Sequence, residues 1–143
     1  INFIRGDDPR MLSTIDATLE HLVVDGLCYR YIDAPEGVTG KEGSFVVCTT
    51  WLINALMRAG RTGEAHRMFQ NLLARASPLG LYAEEIQPAT GTHMGNFPQS
   101  FSQIGIINAA VSLAHAGYVG TVSPHHAVAA DAAGHGGGGK RSR

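Results

Sequence analysis

Adjacent carboxylates at Glu84 and Glu85 stand in the stretch Leu81-Tyr82-Ala83-Glu84-Glu85-Ile86-Gln87-Pro88, which carries no other charge. In an extended or turn conformation, neighbouring side chains point to opposite sides. One of the pair can therefore face a cleft while the other faces water or a structural partner. A carboxylate held in this way can act as a general base, provided that it reaches a water and keeps its charge. On composition alone, two solvated loop carboxylates remain the better reading. A second group, Tyr29, Arg30 and Tyr31, is followed at a distance by Lys41 and Glu42. Aromatic faces stack on the C–H surfaces of sugars while a guanidinium fork reaches hydroxyls, so these residues suit sugar recognition and suit ordinary packing equally well.

Other chemistries find little support. Gly37, Gly40 and Gly43 do not follow a strand pattern, which argues against a phosphate-binding loop. His21, His66, His93 and His115 are scattered and read as structural, with no Ser/His/Asp arrangement among them. Cys28 and Cys48 have neither disulfide-framework nor zinc-ligand spacing and read as small buried hydrophobes. No metal site and no cofactor are expected.

Positioning such groups requires a scaffold, and the apolar spacing predicts one that is all-α. Asp8-Pro9 forms an N-cap and first-turn pair, after which Leu12, Ile15, Leu19, Leu22 and Val23 recur at helical spacing, giving a helix over 9–24. Asp25-Gly26 ends it, and 25–43 reads as a long loop. Ser44 is placed to cap a second helix to about 59, with Val47, Cys48, Trp51, Leu52, Ala55 and Leu56 on a broad apolar face; Trp51 is assigned to core packing. Thr62 is placed to cap a third helix to about 76. Residues 81–97 read as loop again, and Pro98 opens a fourth helix to about 116. Two long loops are unusual on a simple helical scaffold, where they often carry function.

The chain has 143 residues, of which 44% are hydrophobic and only 16% charged, below the roughly 25% usual for soluble domains. That deficit suggests a chain that hides much of its surface against something else. Eleven basic against twelve acidic residues leave a net charge of −1, which offers no field for nucleic acid or an anionic membrane. Neither a membrane-length apolar run nor a secretory-type segment is present, so a cytoplasmic location is expected. Residues 117–143, rich in Ala, Gly and His, offer nothing large to pack and are expected to be a disordered tail beyond a body of 1–116. The absence of an initiator Met before Ile1 leaves open a processed leader or one piece of a longer polypeptide.

Five phrases carry a specific resemblance: Tyr29-Arg30-Tyr31, the run Glu42-Gly43-Ser44-Phe45 followed by Cys48-Thr49 and Trp51-Leu52, Ala59-Gly60-Arg61, Leu81 to Gln87, and Gly95 to Ser102. In this order they resemble the C-terminal part of the catalytic domain of glycoside hydrolase family 15, the glucoamylases and their bacterial trehalase relatives. The likeness runs from about Asp8 to His115 and is nearer the trehalase-type branch.

The resemblance implies about four helices of an (α/α)6 barrel whose active site lies in the loops at one end. It also implies hydrolysis with inversion, in which an acid protonates the glycosidic oxygen and a second carboxylate, about 6.5–9.5 Å away, activates water. On this pattern Glu84 is the base and Glu85 its neighbour in the site. Arg30 and Tyr31 contact sugar, Glu42 binds a hydroxyl or supports the cleft, and Phe101 stands where an aromatic residue contributes near the base. Gln103 departs from a pattern that often has His there, so no proton-linked role is expected at that position. The substrate implied is an α-linked glucoside such as trehalose or a malto-oligosaccharide. The general acid belongs to an earlier barrel segment that nothing in 1–43 resembles, so the chain is expected to need the rest of the barrel and to have little activity alone. The alternative from another class is a small interaction module built on the helical hairpin 44–76, although a solenoid of such hairpins needs about three similar units and no other part repeats this one.

Overall fold

The computed structural model describes residues 4–32 and 42–118. Among them four helices occur: α1 (Pro9–Leu22), α2 (Val46–Arg58), α3 (Thr62–Leu73) and α4 (Ser100–His115). Asp8 caps α1 as its sequence predicts, accepting a hydrogen bond from the Arg10 amide at 2.9 Å, with proline in the first turn. The α2–α3 turn closes through Gly60, whose positive φ of 75° lets the Gly60 and Arg61 amides donate back to the carbonyls of Met57 and Leu56. Arg61 then binds Glu64 through two parallel hydrogen bonds and reaches Asp16 on α1, which ties the first helix to the start of the third.

The expectation of an all-α fold needs correction, because both long loops contain short antiparallel strands. Strands β1 (Val23–Val24) and β2 (Leu27–Cys28) form a hairpin around Asp25 and Gly26, both at positive φ. Asp-Gly between short apolar runs is a strong hairpin signal, so this dipeptide turns a hairpin rather than only ending a helix, and α1 stops at Leu22. The Asn71 and Arg75 side chains fix the turn by donating to the Asp25 carbonyl.

A three-stranded sheet joins β3 (Ser44–Phe45), β4 (Glu85–Ile86) and β5 (His93–Met94), with β4 central. Ser44 is therefore a strand residue rather than the cap of α2, and Phe45 takes the cap position without a side-chain hydrogen bond. Likewise Arg61, not Thr62, precedes α3, and α4 begins two residues after Pro98. The expected loop residues Gly37, Gly40 and Lys41, and the tail from 119 onward, lie outside the described residues. Tyr118 still packs on the body, stacked on His66 with ring centroids 4.6 Å apart.

The core lies where α2 meets α3 and α4, around Ile53, Leu56, Ala65, Leu72, Ala109 and Leu113. Trp51 is not in it: the indole is 64% exposed. The broad apolar face of α2 is wider than the neighbours that these residues supply. The same holds for α4, where Phe101, Ile104, Ile107 and Val111 make an exposed stripe while Ile106, Ala109 and Leu113 face inward. A helix apolar on nearly all sides is one built for burial on nearly all sides.

α4 approaches α2 closely because residue 105 has no side chain. A Cβ there would lie 2.3 Å from Thr50 Oγ1, and Thr50 cannot swing away without breaking its 2.8 Å bond to the Val47 carbonyl. Gly105→Ala should therefore lower stability by about 1–3 kcal/mol, despite a helix-propensity gain of about 1 kcal/mol. Thermal unfolding should find this cost reduced in the Thr50→Ala background, and additivity of the two changes would show that the contact does not limit the packing.

Candidate active site

The loop over 81–97 is held at several points along its length. Tyr82 is 2% exposed, and its hydroxyl donates weakly to the Leu72 and Leu73 carbonyls at the end of α3. The ring of His93 stacks on Tyr82, and His93 Nε2 bonds the Arg75 carbonyl at 2.8 Å. At the other side the Gln99 amide donates to the Tyr82 carbonyl and the buried Ser102 hydroxyl to the Ala83 carbonyl, at 2.9 and 2.7 Å. The first turn of α4 is thereby clamped to the two residues that precede Glu84.

Hydrogen bonds at the start of β4 then fix both carboxylates. Glu84 lies between two partners: its amide donates to the Asn96 carbonyl at 2.9 Å, and its carbonyl accepts from the Val46 amide at 3.0 Å. Its side chain lies against Gly95 and Asn96, with Oε2 accepting from the Asn96 side-chain amide at 3.0 Å and from the Asn96 backbone amide at 3.3 Å. Glu85 pairs with Phe45 on one side and Met94 on the other, and its Oε2 accepts from the Gly43 amide at 2.9 Å. The two neighbours thus have different partners, as alternation requires.

Glu85 connects this sheet to the second group of residues. Gly43 follows Glu42, whose Oε1 accepts from the Tyr31 hydroxyl at 2.9 Å and lies 3.5 Å from the Arg30 guanidinium. Arg30 also donates to the Tyr31 hydroxyl, and its guanidinium lies 4.6 Å from the Tyr31 ring centroid and 5.3 Å from that of Phe45. Phe45 is the cross-strand partner of Glu85. Arg30, Tyr31 and Glu42, separated by up to twelve positions in sequence, are therefore one hydrogen-bonded cluster adjoining the β3–β4 pair that carries Glu85 and is preceded by Glu84. Phe101 is outside this network, 66% exposed on the outward stripe of α4. Gln103, in the second turn of α4, has a buried side-chain nitrogen without a hydrogen-bond partner among the described residues.

Burial also marks the supporting groups. It pushes the Tyr82 phenol up to about 12, and it raises the Cys28 thiol to about 11, with the neighbouring Cys48 adding to the effect. No group of three or more His, Cys, Asp or Glu that could hold a metal ion occurs among the described residues. Sequence reasoning missed Asn96 and Gly95, although both lie inside the phrase Gly95-Asn96-Phe97-Pro98 that carries the resemblance. Asn96 enters the site because, just beyond the β4–β5 pairing, its carbonyl accepts from the Glu84 amide, which sets residue 96 beside residue 84.

A loop-borne carboxylate pair thus stands next to an Arg–Tyr–Glu cluster on a helical scaffold with open apolar faces. The model of the family described as glycosyl hydrolases family 15 matches residues 1–111, and the chain belongs to that family. The chain is 46% identical over 116 residues to the trehalase of Mycobacterium tuberculosis, a match covering 80% of this chain and 17% of that protein. To the trehalase of Thermoplasma acidophilum it is 38% identical over 116 residues, covering 81% of this chain and 20% of that protein. The chain therefore spans about a fifth or less of the length of these relatives. No solved structure matches it.

Two outcomes follow from this geometry. Tyr82 and Cys28 hold their protons more tightly folded than unfolded, so their contribution is complete at neutral pH and is lost as pH rises through about 9–12. Unfolding free energy should fall over this window, with a Tyr82 share on the order of 2 kcal/mol by pH 12 that vanishes in Tyr82→Phe; an unchanged slope in that variant would contradict it. Glu85→Ala should also speed hydrogen exchange at the Gly43 amide by about 10-fold, whereas Glu85→Gln, which keeps an acceptor oxygen, should change it much less.

Proposed function

We propose that this chain is the C-terminal part of the catalytic (α/α)6 barrel of an inverting α-glucoside hydrolase, with Glu84 as the general base and trehalose as the substrate. The observation that carries the reading is the placement of Glu84. Its backbone, immediately before β4, is hydrogen-bonded on both sides, to the Asn96 carbonyl and the Val46 amide, and the adjoining sheet lies beside a cluster able to bind sugar hydroxyls. Trehalose is preferred over malto-oligosaccharide because the relatives named above are trehalases.

In the proposed reaction a water attacks the anomeric carbon while Glu84 takes one of its protons. A general acid, supplied from outside the matched stretch, protonates the leaving glycosidic oxygen. One C–O bond forms as the other breaks, and the anomeric configuration inverts. From trehalose this releases one β- and one α-glucose, and the protons return through solvent. Arg30, Tyr31 and Glu42 hold the sugar beside the cleavage point, and no metal or cofactor enters any step. Glu85 borders the sugar site and ties its two loops together through Gly43. Phe101 would supply an apolar wall only when the rest of the barrel closes around α4. The exposed faces of α4 and of Trp51 support this, being wide enough for further helices. A cytoplasmic location goes with this reading; no helix among the described residues is long and apolar enough to cross a membrane. The interaction-module alternative gains no support from the hairpin, whose two helices are used to anchor the loops of the site.

In a complete enzyme carrying this segment, Glu84→Gln should lower kcat for trehalose by about 10²–10⁴-fold with the fold intact. The 143-residue chain alone should release little or no glucose from trehalose or maltose. Wild-type turnover in the variant would remove Glu84 from the role, and turnover by the isolated chain would remove the need for a separate acid.

A further inference from the structure

The geometry points to Asn96 as a positioning residue for Glu84, setting which oxygen of the carboxylate is left to meet water. This rests on the reading of Glu84 as the base. Asn96 donates twice to the same oxygen, Oε2, once from its side-chain amide at 3.0 Å and once from its backbone at 3.3 Å. Among the described residues Oε1 has no hydrogen-bond partner, so it is the oxygen left to accept a proton. Gly95 completes the seat. It lies at φ +72°, and a Cβ there would stand 2.9 Å from Glu84 Oε2 and 3.1 Å from Glu84 Cβ, so only glycine admits the carboxylate to this place.

Nothing in the backbone otherwise requires asparagine at 96. Asp25 is the described non-glycine residue with positive φ, and Asn96 is not in that region. Its side chain is exposed and closes no core contact, and its described side-chain hydrogen bond goes to Glu84. A carboxylate held by one oxygen presents the other in a fixed direction. A base free to rotate spends part of its time turned away from the water, which lowers the rate without weakening substrate binding.

The test compares Asn96→Ala, Asn96→Asp and Glu84→Gln in the complete enzyme carrying this segment, with trehalose as substrate. Asn96→Ala removes one donor and leaves the backbone donor, so kcat should fall about 10-fold with KM changed less than about twofold. Asn96→Asp keeps the size but sets a carboxylate against Oε2, so kcat should fall about 100-fold or more. A purely structural role would give the reverse order, because Asp serves a turn as well as Asn does. Activity of Asn96→Asp at or above that of Asn96→Ala therefore overturns the inference, as does a loss carried by KM alone. If the variants are too slow to measure, their crystal structures decide: Glu84 displaced from Gly95 supports the role, and Glu84 unmoved overturns it. Glu84→Gln separates the two claims. Retained activity there refutes the base itself, whereas its loss beside unimpaired Asn96 variants refutes only the positioning role.

Discussion

Where α4 crosses α2 there is room for a hydrogen atom at Gly105 and for little more, and the placement of the site follows from that contact. Thr50 fills the space, held by its own bond to the Val47 carbonyl. The close approach sets the height of the first turn of α4, and that turn carries the Ser102 hydroxyl onto the Ala83 carbonyl. Ala83 is fully buried and precedes Glu84, so a glycine in one helix governs where a carboxylate in a loop begins. Interiors packed at crystal density transmit such constraints because no void is available to absorb them.

The loops are ordered by the same economy of backbone groups that orders a core. Buried amides and carbonyls need partners, and the backbone of the 81–97 segment finds them in β3, in itself and at the starts of α2 and α4, while the Tyr82 and His93 side chains bond the carbonyls exposed at and just after the end of α3. Short strands satisfy these groups without a long regular sheet, and they leave the side chains of Glu84 and Glu85 turned to different neighbours. Side chains carried on pieces fixed in this way are held in defined orientations by the packing and hydrogen bonds around them.

Low charge and open apolar faces express one property. Trp51 and the stripe Phe101, Ile104, Ile107 and Val111 are exposed in this chain, and they belong to helices with few charged residues, α2 having Arg58 and α4 no Asp, Glu, Lys or Arg. The cost of leaving them in water is the hydrophobic term that drives helices to pack in layers. A chain that spans about a fifth or less of its relatives' length can carry helices patterned for neighbours that its own residues do not supply.

Much of this was legible in the order of residues. Four helices, the Asp8 cap, the turn at Gly60, and the phrases around Arg30, Glu42 and Glu84 follow from local spacing and local chemistry, which depend on neighbours a few positions away. The hairpin at Asp25-Gly26 was also written locally, in its turn residues. Trp51 was not: an apolar face states that a helix will be covered, but not by which residues, and coverage is a property of distant elements. Nor did residue type or spacing separate Glu84 from Glu85, which are identical in chemistry and adjacent in the chain; only the family resemblance distinguished them. Pairing across 42 positions gives Glu85 the Gly43 amide, and pairing across 12 gives Glu84 the Asn96 amides. The sequence by itself determined which groups could do the chemistry. Only the tertiary structure decided which backbone and side-chain amides hold each carboxylate, because such hydrogen bonds depend on how the strands and the residues beside them are brought together rather than on residue type.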